Sequence, residues 1–296
     1  MRFVFGWMGV VLLVCGVVGC GQRGEDRKAT GWKIALKADK NPGAMLEVKQ
    51  ALEVAIGQFS GRRVEVVVPT SAAIILEGLA NGTLDAGYIS AMEYLQTQRQ
   101  ATAKGLLVNE DNGKRYYESC WVVRVDAPYQ TVDDLRGKPI CFASRTSTSG
   151  YILPMADLVR TGRLRKGGAA EDFFGPGNVY YGTGYVSAIE RLLNRQVEAA
   201  AVSDYVMDRD KHLTVEQRQK LRVLARQGPV PTHVLAVRAS MPEKERDELK
   251  AAILRLNEDP WVELRDRAFT SKWVEVDVDE HVSALKDALD KIGFKL

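Results

Sequence analysis

Cys141-Phe-Ala-Ser-Arg-Thr-Ser-Thr-Ser-Gly-Tyr-Ile-Leu-Pro154 governs how the rest of the sequence is read. Its first residues make an apolar strand, its middle is a loop crowded with hydroxyls, and a helical pattern begins at once from Ser149. A strand that turns directly into a helix is the unit of an α/β sheet. Such a helix start leaves backbone N–H groups unpaired and carries the positive end of the helix dipole. Ser147, Thr148 and Ser149 add hydroxyl donors there, which suits an oxyanion without a formal positive charge. Plain helix capping is the competing account, and it needs only one of these hydroxyls.

Working outward, the same unit recurs on both sides. Upstream, strand patterns at 33–36, 64–68 and 84–89 alternate with helical ones at 43–59, 72–80 and 91–101. Downstream, Pro139 to Ala143, Asn178 to Tyr181 and Glu198 to Val202 read as strands, with helices from Ser149 to about Arg163 and from Val186 to Asn194. Polar helical sequence follows from Tyr205 to Leu221. Another strand is expected from His233 to Val237, and helices from Met241 to about Leu256 and from Asp279 to Ile292 close the chain. The long strand-like run Tyr117 to Val125 ends at Asp126-Ala127-Pro128, and a second interruption falls at Gly228-Pro-Val-Pro231. Two α/β series with two interruptions predict two lobes, 31–125 plus 232–296 and 126–231. If the last helices pack on the first lobe, the chain crosses twice and leaves a cleft where ligands are held.

The N-terminus sets the expected compartment. Arg2, the apolar run Phe3 to Val18 and the small residues before Cys20 read as a secretory signal over 1–19. Val17-Val18-Gly19-Cys20 looks like a bacterial lipobox, with lipidation at Cys20 and a polar tether over 20–30. An ordinary signal with an incidental cysteine is the alternative. Loss of Arg2 takes the formal charge from +3 to +2, and no Lys/Arg-rich block occurs, so nucleic acid is not an expected partner. Of the four cysteines, Cys120 and Cys141 remain beyond Cys20; one disulfide or two buried thiols both fit. The three histidines, His212, His233 and His281, make no metal-ligand spacing, and His212 reads as a solvated surface residue. With no GxSxG, HExxH or Ser-His-Asp ordering, the sequence is not that of an enzyme, and no cofactor or metal is expected.

Ser147-Thr148-Ser149-Gly150-Tyr151 with Pro154, Asp134-Leu-Arg-Gly-Lys138, Gly82-Thr-Leu-Asp85-Ala-Gly-Tyr88, Val197-Glu-Ala-Ala-Ala-Val202 and Tyr117 with Ser119 occur in a set order. This set resembles the periplasmic substrate-binding proteins of ABC transporters that take phosphonate, phosphite and phosphate-like oxyanions, and it spans about Lys33 to the C-terminus. The resemblance implies an α/β, type II clamshell with two interlobe crossovers and a monomer that delivers its ligand to permease subunits. It also implies that Ser147, Thr148 and Ser149 hold the oxyanion. Where relatives often carry Gly-Ser-His and an acid, this chain has Gly182-Thr183-Gly184-Tyr185, so Tyr185 offers only its phenol and an aminoalkyl-phosphonate is disfavoured.

Asp204 stands at a strand end facing the expected cleft, as a ligand acceptor or as the cap of the helix at Tyr205. Tyr88 and Tyr94 line the first-lobe wall or pack in its core. Cys120 is a buried thiol or a soft ligand for an oxyanion such as arsenite. The latter would accompany a second role, a binding protein that senses its ligand for a membrane histidine kinase.

Overall fold

The computed structural model describes residues 31–37, 42–209, 212–269 and 271–294. The expected signal, tether and Cys20 lie outside these. Among the described residues, eleven strands form two sheets. The strands are β1 (Trp32–Ala35), β2 (Val64–Val67), β3 (Ala86–Ile89), β4 (Ala103–Glu110), β5 (Tyr116–Arg124), β6 (Ile140–Phe142), β7 (Val179–Tyr181), β8 (Ala199–Ser203), β9 (Leu221–Pro231), β10 (Val234–Arg238) and β11 (Lys272–Val274).

The first sheet has the order β11-β4-β10-β3-β1-β2 and the second β7-β6-β8-β5-β9. β1 runs parallel to β2 and β3, and β6 runs parallel to β7 and β8. Parallel neighbours need a crossover of a dozen or more residues, which the helices Pro42–Ser60, Ala72–Asn81, Leu153–Arg160 and Tyr185–Leu193 supply. β8 is small and apolar, Ala-Ala-Ala-Val-Ser, and every residue in it is buried. Chain packs on both of its faces, so its side chains do not alternate between core and water.

The chain passes between the sheets after β4 and again between β9 and β10. The second passage falls between Pro231 and Val234. The first differs from the expected boundary: β5 pairs antiparallel with β8 and β9, so the crossing precedes Tyr116 instead of following Val125. β5 carries the apolar pattern of a sheet interior, and local pattern does not say which sheet. The polar stretch before Pro231 also differs from expectation. It holds two short helices, Tyr205–Asp208 and Val215–Gln219, and then the eleven-residue β9. β9 pairs only with β5 and so forms an edge, where Pro229 and Pro231 are tolerated.

The helices Glu243–Leu254 and Val262–Phe269 join the first-lobe core with Trp32, Leu52 and Trp273. The last helix, Ser283–Ile292, does not stay on that lobe. Leu285, Ala288 and Leu289 share one apolar cluster with Tyr94 and Val234 of the first lobe and with Ile152, Leu153, Ala156 and Val230 of the second. Upstream of it, Val278 is pressed onto Gly105 of β4, where an added Cβ would lie 2.5 Å from the Val278 Cβ. Val278 is stiff at χ1, so Gly105→Ala is expected to cost about 1–3 kcal/mol in urea unfolding.

Candidate functional site between the two sheets

β6 delivers the hydroxyl-rich loop, and the helix that follows opens with a widened turn over Thr148–Ile152. The Ile152 N–H reaches back five residues to the Ser147 carbonyl at 3.0 Å. Such widened turns recur at functional sites. Gly150 permits it, because a Cβ there would meet the Ala143 Cβ at 2.4 Å. Ser147 Oγ accepts from the Gly150 N–H at 2.9 Å, so this hydroxyl does cap the helix, yet its own proton remains available to donate.

Thr148 is buried, and its hydroxyl makes no hydrogen bond among the described residues. Ser149 is fully buried, with its Oγ 2.7 Å from the Tyr185 hydroxyl. The Ser149 carbonyl accepts from Ser119 Oγ, which in turn accepts from Gln227 Nε2 at 2.8 Å. The Tyr205 ring packs against those of Tyr185 and Tyr117, with centroids 5.6 and 6.0 Å apart. Burial, reinforced by the neighbouring Tyr185, pushes the Tyr117 and Tyr205 phenols well above their usual range. Ser149 and Tyr185 are thus hydrogen-bonded to each other, with the Tyr205 and Tyr117 rings packed beside them.

Tyr117 and Tyr205 also line a cavity of about 640 Å³ between the two sheets. Tyr88 and Asp204 line it too, whereas Ser147, Thr148, Ser149 and Tyr185 are not part of its lining. Tyr88 is packed edge-on to Phe269 and Trp273, and its hydroxyl meets Asn109 Oδ1 at 2.6 Å. The Asp204 carboxylate accepts from the backbone N–H of Tyr205 at 2.7 Å and of Glu118 at 2.9 Å, which is the capping role. Tyr94 lies in the core, its hydroxyl bonded to Asp279 at 2.7 Å.

The structure does not bring Cys120 to this cavity. Successive residues of a strand face opposite sides: Ser119 points to Ser149, and Cys120 points into the core with Val122 and Ile189. Burial pushes its thiol up to about 12 and that of Cys141 up to about 11. Both thiols are free. They pair with Val202 and Ala200 from opposite sides of β8, about 10 Å or more apart, which is beyond disulfide reach. Maleimide applied to the native protein is expected to leave Cys120 and Cys141 unlabelled, and to label both after denaturation, as peptide mapping would show.

Three cavity residues escaped the sequence. Lys37 follows β1, and its Nζ is 3.3 Å from Glu93 Oε2. His233 precedes β10, which runs antiparallel to β3 and so brings the imidazole to the edge where β1 and β3 end. His212 is no free surface residue; it stacks on Tyr205 with ring centroids 5.2 Å apart. The available signal was position at strand ends, where α/β sheets hold their ligands. Among the described residues no cluster of three or more potential metal ligands occurs, and no helix is long and apolar enough to cross a membrane.

Two α/β lobes joined by two crossovers, with a polar, aromatic-walled cavity between them, define a type II periplasmic-binding-protein fold. The chain belongs to the family of ABC transporter, phosphonate, periplasmic substrate-binding proteins, whose model matches residues 34–288. This is a family of binding proteins, not of enzymes. Among solved structures, PhnD1 from Prochlorococcus marinus in complex with methylphosphonate superposes with a TM-score of 0.72 at 14% identity, covering 89% of this chain and 98% of that one. A protein from Xanthomonas citri bound to ATP gives a TM-score of 0.71 at 20% identity, covering 88% and 98%. Phosphate-import protein PhnD of Mycolicibacterium smegmatis is 25% identical over 154 residues, 51% of this chain and 48% of that protein. The chain thus matches about half the length of that curated relative.

Proposed function

We propose that this protein captures a small phosphate-like oxyanion between its lobes and presents it to the membrane subunits of an ABC importer. One observation carries the proposal: the Ser149 hydroxyl of the widened Thr148–Ile152 turn bonds the Tyr185 hydroxyl, and the Tyr185 ring packs on Tyr205 in the lining of the interlobe cavity. Hydroxyls and helix-start N–H groups hold an oxyanion by directed hydrogen bonds. Ser147, Thr148, Ser149 and Tyr185 are assigned that contact, with Tyr88 and Asp204 as neighbouring walls. The relatives solved or named with methylphosphonate and with phosphate support the ligand class. Cys120, sealed in the core, gives no support to a thiophilic ligand.

Thermal unfolding with phosphate, phosphite, methylphosphonate and sulfate tests this. A ligand at a hundredfold its Kd is expected to raise Tm by roughly 5–10 °C; no shift with any of the four would sink the proposal. Attachment through a lipid on Cys20 completes the proposal. Intact mass of membrane-extracted protein is expected to carry the lipid increment, which Cys20→Ala abolishes.

A further inference from the structure

We propose that Lys37 and His233 form the first lobe's half of the oxyanion site, Lys37 by charge and His233 by hydrogen bonding. This rests on the capture of an oxyanion argued above. The second-lobe turn at Ser147–Ser149 offers hydroxyls and backbone N–H groups, and the segment after Gly182 adds Thr183, Gly184 and Tyr185 in place of an imidazole and a carboxylate. The opposite wall supplies an imidazole and a cation. Lys37 and His233 both line the cavity, brought together by the end of β1 and the start of β10.

The His233 imidazole makes no hydrogen bond among the described residues, although one face of the ring packs against Tyr88 at 5.1 Å, and its backbone carbonyl accepts from the Asn109 N–H. Burial, and then the Lys37 charge, push the imidazole down to about 3 against the opposing pull of Glu93. It therefore stays neutral and keeps one donor and one acceptor for a ligand. Lys37 is held in place by Glu93. That carboxylate lies outside the cavity lining, tied by the Ser90 N–H at 2.7 Å into the capping box of the helix Ala91–Arg99. The ammonium faces the cavity while its counter-charge sits behind it. The other cations of the wall are differently placed: Arg209 pairs with Asp111, Arg267 with Glu47, and Lys114 is exposed on the turn between lobes, where water screens it.

Calorimetry of the full chain in mild detergent with phosphite and methylphosphonate tests the assignment. Lys37→Gln is expected to weaken binding about tenfold and flatten its salt dependence. His233→Phe, which keeps a ring against Tyr88, is expected to weaken it about tenfold as well. Glu93→Gln preserves the capping box but removes the competing carboxylate, so it is expected to tighten binding severalfold, an effect that misfolding cannot produce. If the unaltered protein binds and all three variants stay within twofold of it, the first-lobe half is wrong and oxyanion capture stands. If the unaltered protein binds neither anion, both fall.

Discussion

Replacing Leu285 and Leu289 together with alanine should leave the protein largely unfolded at room temperature. Both leucines are essentially without solvent exposure and sit in the cluster that takes side chains from both lobes. A buried Leu→Ala change costs about 2–5 kcal/mol through lost transfer energy and the cavity left behind. Adjacent sites do not add strictly, yet two such losses approach the whole stability of a typical domain, about 5–15 kcal/mol. The helix Ser283–Ile292 lies on the helix Leu153–Arg160, so the damage should reach Trp121 in the second lobe as well as Trp273 in the first. Urea unfolding followed by tryptophan emission is expected to show a transition moved toward zero denaturant in both regions. A double variant that loses less than about 1 kcal/mol would show that this helix does not join the lobes.

Acidification is the second large effect. In the unfolded chain His233 titrates near the ordinary histidine value of about 6.5, whereas in the folded protein it is held down to about 3. Between these values the unfolded state binds the extra proton, so stability falls as pH falls through that window. Lys37, Glu93 and Tyr88 face the imidazole. Burial works to raise the Glu93 carboxyl, but Lys37 and the Ser90 N–H outweigh it and hold the group below its usual range. Glu93 therefore also loses stabilisation as the solution becomes acid. His281, likewise lowered by burial, acts in the same direction. The slope is bounded at about 1.4 kcal/mol per pH unit for each proton, giving a loss of a few kcal/mol between pH 6.5 and 4. His233→Phe should remove a large part of that slope in urea titrations. A stability unchanged from pH 7 to 4 would contradict the buried neutral imidazole.

The βα units could be read because their periodicity alternates sharply. The strand, loop and helix start around Ser147, Thr148 and Ser149 were legible as local structure because they are contiguous in the chain. β9 was not, since an edge strand paired on one side tolerates the Arg, Gly and Pro that elsewhere signal a loop. The short β11 gives only three residues of pattern. β5 was recognisable as a strand, but its lobe is fixed by pairing with β8 and β9, contacts about 80 and 105 residues away. Lys37 and His233 failed for the same reason: nearly 200 residues separate them, and an antiparallel neighbour brings them together. Cys120 could not be assigned without knowing which face of β5 meets the helix start.

Calorimetric titration with methylphosphonate of the unaltered protein and of Thr148→Val tests oxyanion capture most directly. Thr148 Oγ1 has no hydrogen-bond partner among the described residues, so removing it should leave Tm nearly unchanged. The account predicts one anion bound per chain, and affinity lowered about tenfold or more in Thr148→Val through loss of a hydrogen bond to a charged group. Equal affinity in the two proteins, or no binding to the unaltered one, would contradict it.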